Sequence, residues 1–124
     1  MICLDANIVI RSFTLQQAYL VDLLDQKKHE LSCSEIVRLE VMGYHKLQAA
    51  EANIMQNFFD NIMVIPIDKV IINQAITIRR ERSIGIGDAI IAATTICRDY
   101  QLWTNNVKDF AWIKDLSWHN PIRL

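Results

Sequence analysis

Three glycines and two prolines in 124 residues leave little material for flexible linkers. Cysteine is scarce and odd in number. Cys3, Cys33 and Cys97 lie far apart with no C-x-x-C spacing, which argues for a reducing compartment. The chain opens straight into an apolar strand, with no basic region and no signal-peptide cleavage motif, so the expected location is the cytoplasm. Apolar runs such as Ala89–Cys97 fall far short of the ~20 residues that cross a bilayer. An excess of positive charge is missing too: the formal net charge is −1, and only Arg79, Arg80 and Arg82 form a basic cluster. That balance argues mildly against a general nucleic-acid binder. No G-x-x-x-x-G-K-[ST] loop is present, which excludes nucleotide hydrolysis of that type, and Gly85-x-Gly87 alone is too little for a dinucleotide site.

What remains is an ordinary globular composition, 52% hydrophobic and 22% charged. A chain of this length buries roughly two-thirds of its unfolded surface and needs no staple. One domain spanning residues 1–124 is expected. Short apolar runs alternate with helical patterns. Met1–Leu4 reads as a buried strand, Gln16–Lys27 as a helix with Tyr19, Leu20, Leu23 and Leu24 on its buried face, and Glu30–Cys33 as a second strand. Ser34 caps a helix over Ile36–Leu47, and another covers Ala49–Asn61 with Ile54, Met55, Phe58 and Phe59 inward. Met63–Ile65 is a strand stopped by Pro66, and Asp68 caps a helix through Arg82 with Val70, Ile71, Ala75 and Ile78 as its stripe. Gly85-Ile86-Gly87 breaks that helix, and Asp88 starts the next, through Cys97. Gln101–Thr104 and Leu116–Trp118 are short strands. The pattern predicts an α/β domain with a mainly parallel sheet, whose ligand site lies beyond the carboxyl ends of the strands.

Four acids stand at such places, and each also has an ordinary structural job open to it. Asp5 follows the first strand and equally suits an N-cap. Glu40 shares a helix face with Ile36, Gly43 and Leu47, where a charge needs a partner, a metal ion or a nearby Arg or Lys. Asp88 suits the cap of an apolar helix, and Asp109 the end of a capping box begun by Asn106. Together they make an oxygen-only cluster of the kind that hard cations such as Mg²⁺ and Mn²⁺ prefer, without the Cys or His that zinc favours. Cys3 and Cys97 are expected to be buried in a strand and an apolar helix. His29, His45 and His119 fall in polar surroundings, so a thiol hydrolase is disfavoured. Trp103, Trp112 and Trp118 suit packing better than base stacking.

The residues resemble the PIN domains, and within them the VapC-like toxins of toxin–antitoxin pairs. The resemblance is carried by Ile2-Cys-Leu-Asp-Ala-Asn-Ile-Val-Ile10, Ser34-Glu-Ile-Val-Arg-Leu-Glu40, Gly87-Asp-Ala-Ile-Ile-Ala-Ala-Thr94 and Thr104-Asn-Asn-Val-Lys-Asp-Phe110. It implies a three-layer α/β/α fold and an acidic quartet of Asp5, Glu40, Asp88 and Asp109. Asp5 and Asp88 would be the first metal ligands, with Asn7, Thr104 and Asn106 in support. Ala6 departs from the Thr or Ser of many relatives. The implied activity is Mg²⁺- or Mn²⁺-dependent hydrolysis of RNA, leaving a 5′-phosphate and a 3′-hydroxyl. The implied partners are a small antitoxin and a second copy of the chain. A non-catalytic interaction module and a DNA-directed nuclease are the alternatives.

Overall fold

The computed structural model describes residues 1–13 and 18–122. The first strand, β1 (Ile2–Leu4), is wholly buried and runs into α1 (Ala6–Ser12). Asp5 is the N-cap between them, its side chain accepting from the Ala6 amide. Helix α2 (Ala18–Gln26) buries Leu20 and Leu24, an i, i+4 pair, while Tyr19 and Leu23, expected on the same face, are half-buried. Gln16 and Gln17, the start of the expected helix, lie outside the described residues. After β2 (Leu31–Ser34), the Ser34 hydroxyl accepts from the Ile36 amide and opens α3 (Glu35–Met42).

The expected continuation of α3 to Leu47 is not made. Gly43 caps the helix, its amide bonding the Leu39 carbonyl at 2.8 Å, and a β-carbon at position 43 would stand 2.5 Å from that oxygen. Only glycine fits so close an approach. Helix α4 (Ala49–Asp60) begins where the Gln48 amide donates to the Glu51 carboxylate, and it buries Met55 and Phe59. Ile54 was expected inward and is exposed, because its side chain lies off that two-residue seam. Next come β3 (Met63–Ile65) and α5 (Lys69–Glu81), the latter capped by Asp68 through the Ile71 amide. Ile71, Ala75 and Ile78 form its buried stripe. Val70 was expected there too and is exposed.

Helix α6 (Ile86–Arg98) buries every residue from Ala89 to Thr95. Thr94 and Thr95 satisfy their hydroxyls on the carbonyls one turn back, Ile90 and Ile91, as buried polar groups must. Then follow β4 (Gln101–Trp103), α7 (Val107–Phe110) and β5 (Trp118–His119). The last strand was expected at Leu116–Trp118. Leu116 instead goes into the core, closing a turn onto the Ile113 carbonyl before pairing begins at Trp118.

The strands form one sheet in the order β3-β2-β1-β4-β5, and every pair is parallel. The inner strands are buried almost throughout because helices cover both faces. Even the buried Ser32 is neutral in cost, its hydroxyl donating to the Ile2 carbonyl of the neighbouring strand at 2.7 Å. The architecture is the expected three-layer α/β/α domain. No described helix is long and apolar enough to cross a membrane.

Candidate active site

From β1 the sheet grows through β2 to β3 on one flank and through β4 to β5 on the other. The winding therefore reverses between β1 and β4. In open parallel sheets, ligands bind in the crevice beyond the carboxyl ends at such a switch point. Asp5 follows β1 and Thr104 follows β4, and the Asp5 amide donates to the Trp103 carbonyl at 3.0 Å. The Asp5 side chain is 4% exposed. Its Oδ1 accepts from the Ala6 amide at 2.8 Å, and its Oδ2 accepts from Asn7 Nδ2 at 3.0 Å and Thr104 Oγ1 at 2.7 Å. An ionised carboxylate offers about four lone-pair sites. Three are used, and the one left over belongs to Oδ1. Burial raises the Asp5 carboxyl above its ordinary range, the bonds from Thr104, Ala6 and Asn7 oppose that, and the charge of Asp109 adds to it.

The polar frame extends outward. Thr104 Oγ1 accepts from the Asn106 amide at 2.9 Å, and Asn7 Oδ1 accepts from the Asn105 amide at 3.2 Å. Thus Asn7 and Thr104 join Asp5 to the loop after β4, where Asn106 also stands. Asn105 and Asn120 were not foreseen. Asn120 Nδ2 donates to Asn105 Oδ1 at 3.3 Å, bracing the same loop. The doubled asparagine after Thr104 was a signal for the first, and nothing in the sequence pointed to the second.

Asn106 and Asp109 do not form the expected capping box. Asn106 Nδ2 donates to Asp109 Oδ2 at 2.7 Å, side chain to side chain, and makes no bond to the helix backbone. The Asn106 amide that a capping box would engage already donates to Thr104 Oγ1, and the Asn106 side chain holds the carboxylate instead. Asp88 is not the cap of α6 either. Gly85 holds that position and Asp88 lies within the first turn, where the helix dipole favours an anion. Glu40 is exposed and sits beside the buried pair Val37 and Val41 of α3, not on their stripe. It reaches α6 all the same: a β-carbon on Gly87 would stand 2.7 Å from Glu40 Oε1. Glycine one residue before Asp88 makes room for a second carboxylate.

The four acids act on one another. The Asp88 carboxyl is pushed up to about 6 by burial first and then by the charges of Asp5 and Asp109. Glu40 is raised by burial and then by Asp5 and Asp88. Among the described residues, the ion pairs join Lys27 to Glu30 and Arg38 to Glu35, and neither neutralises this cluster. Among the same residues, no three Asp, Glu, His or Cys side chains stand close enough to hold an ion as they are. The donor set itself, carboxylate and amide oxygens with no sulfur or imidazole, suits a hard divalent cation.

The thiols do not compete for the role. Cys3 and Cys33 are buried and Cys97, expected buried, is exposed on the last turn of α6. Burial raises all three thiol pKa values, Cys33 to about 12, so none is an activated thiolate. His29, His45 and His119 are exposed, as expected.

Comparison with known proteins places these features in context. The family model described as PIN domain matches residues 2–111. Comparison with curated protein sequences gave no match. Among solved structures, a chain of a toxin–antitoxin complex from Klebsiella pneumoniae is 26% identical, with a TM-score of 0.84 and all of both chains covered. A chain of VapBC2 from Rickettsia felis, bound to a promoter DNA fragment, is 24% identical with a TM-score of 0.80, covering 97% of this chain and 98% of that one. A chain of DNA-bound VapBC from Salmonella typhimurium is 19% identical with a TM-score of 0.85, covering 96% of each.

Proposed function

The chain belongs to the PIN domain family, and from that premise we propose that it is a metal-dependent endoribonuclease, the toxin of a toxin–antitoxin pair. One nuclease unit spans residues 1–124 in this reading. The observation that carries it is the buried Asp5 carboxylate, held at the switch point of the sheet by Thr104, Asn7 and the Ala6 amide, with its charge felt by Glu40 and Asp88. Asp5 and Asp88 would hold Mg²⁺ or Mn²⁺, with Glu40 and Asp109 beside them. Such an ion supplies a lowered pKa for the attacking water and countercharge for the departing oxygen. The chain supplies position. Thr104, Asn7 and the Ala6 amide hold Asp5 in one orientation, and Gly87 lets Glu40 approach Asp88. The test is side-by-side digestion of single-stranded RNA and DNA by wild type, Asp5→Asn and Asp88→Asn. Metal-dependent loss of RNA alone, abolished in both variants, supports the reading. Digestion of DNA instead would give the DNA-directed alternative.

Local bonds favour a second reading, a non-catalytic module whose acids cap helices and brace loops. Asp5 does cap α1 and Asp109 does bond Asn106. Uncompensated repulsion among buried and half-buried carboxylates is costly for a structural device, so the catalytic reading is preferred.

The relatives named above are complexes, and we propose a small antitoxin partner here too. A groove of about 610 Å³ between α1, α2 and α4 is lined by Phe13, Val21, Leu24, Ile54, Phe58 and Ile62, among others. An apolar antitoxin segment fits its chemistry. The second copy implied by the resemblance finds support in exposed Ile72, Ile76 and Ile86, which flank the α5–α6 groove. Light scattering on the purified chain tests that pairing.

A further inference from the structure

One basic residue, Arg82, is linked through an indole to the segment that carries Asp109. The Arg82 guanidinium carbon lies 5.4 Å from the centre of the Trp112 ring. That indole is itself held in place, its Nε1 donating to the Asp109 carbonyl at 2.8 Å. Arg82 leaves α5 in extended backbone, three residues before Gly85, the cap of α6, and Arg79 steadies the intervening turn by donating to the Ile84 carbonyl at 3.1 Å. The cation–π pair therefore joins the two segments that deliver Asp88 and Asp109. Arg82 is exposed, Trp112 is half-buried, and among the described residues no ion pair takes the guanidinium. The guanidinium is within cation–π range of the indole and takes no carboxylate partner among the described residues, so its N–H donors remain open to an anion.

We propose that Arg82, positioned by Trp112, binds a backbone phosphate of the single-stranded RNA substrate next to the acidic rim. This rests on the ribonuclease reading. It also accounts for how a chain without a general basic surface engages a polyanion: one pre-oriented guanidinium sets the register of the strand, and the acids do the chemistry. Trp112 is a positioning residue, because its own contact is with Arg82 and the Asp109 backbone.

The experiment is equilibrium binding of a fluorescent 12-nucleotide single-stranded RNA in EDTA, where no cleavage intrudes, at several salt concentrations. Arg82→Ala and Arg82→Gln are expected to weaken binding about tenfold. They should lower the slope of log affinity against log salt by about 0.7, one single-strand phosphate contact. Trp112→Phe should keep most of the affinity, and Trp112→Leu should lose it as Arg82→Ala does. Thermal melts of every variant separate these losses from unfolding. Unchanged affinity and salt slope in both Arg82 variants would overturn the proposal while leaving metal-dependent cleavage by the wild type standing. Wild-type protein that neither binds nor cleaves RNA would overturn this proposal and the ribonuclease reading together.

Discussion

Thr104 donates its hydroxyl proton to Oδ2 of Asp5 at 2.7 Å, across 99 positions of sequence. The bond joins the ends of the two adjacent central strands and sets the orientation of the most buried acid in the molecule. Replacing Thr104 by Val keeps the shape and removes both the donor to Asp5 and the acceptor of the Asn106 amide. A cost of about 1–3 kcal/mol in stability is expected from the groups left unsatisfied. If Asp5 holds the ion, RNA cleavage should fall a further ~10–100-fold, the usual effect of losing a hydrogen bond to a metal ligand. Melting and cleavage assays on the same preparation measure the two separately.

Gly87 separates activity from stability in the opposite sense. Gly87→Ala places a methyl where Glu40 Oε1 now lies, 2.7 Å away, so the flexible Glu40 carboxyl must move. The helix gains up to about 1 kcal/mol from the loss of glycine. The expected variant melts at the same temperature or higher and cleaves RNA poorly. Full activity would mean that the approach of Glu40 to Asp88 is incidental.

The carboxyls make the free protein sensitive to pH. Asp88 rises to about 6 in the fold from an ordinary value of 3.8, and Asp5 and Glu40 move in the same direction. The folded state then binds more protons than the unfolded one between these values. The stability that Asp88 contributes is therefore present at low pH and is lost as pH rises through about 6, and Asp5 and Glu40 act in the same direction. In EDTA the melting temperature should be higher near pH 5 than near pH 7.5, and Asp88→Asn should flatten that difference. Added Mn²⁺ should raise the melting temperature more at pH 7.5 than at pH 5, because protons compete with the cation for the carboxylates.

These residues also mark how far the sequence was legible. The parallel α/β order could be read because buried strands such as Ile2–Leu4 and heavily apolar helices such as α6 leave patterns in one dimension. The four acids could be singled out by motif, yet their local roles could not. Whether Asp88 caps α6 or enters its first turn depends on which residue takes the extended backbone ahead of it, and that is Gly85. Likewise the end of α3 depends on the contact of Gly43 with the Leu39 carbonyl, not on apolar spacing. Asn120 was invisible because its partner, Asn105, is reached only when β5 pairs with β4. Apolar residues misjudged as buried, Ile54 and Val70, lie on surfaces whose exposure no periodicity over one helix reports.

Ile54 gives a direct probe of the partner groove. It is 57% exposed and lines the cavity between α1, α2 and α4. Ile54→Asp should leave the chain folded by circular dichroism and sharply reduce its co-purification with the product of an adjacent reading frame. Undiminished recovery of the pair would move the antitoxin contact away from this groove.

The whole account turns on whether separate stretches of chain jointly capture one doubly charged ion. Calorimetric titration of Mn²⁺ into the wild-type chain, alongside a variant carrying Asp5→Asn, Glu40→Gln, Asp88→Asn and Asp109→Asn, reads this out without any substrate. Saturable binding by the wild type and none by the quadruple variant is the predicted result; equal heats from both proteins would contradict it.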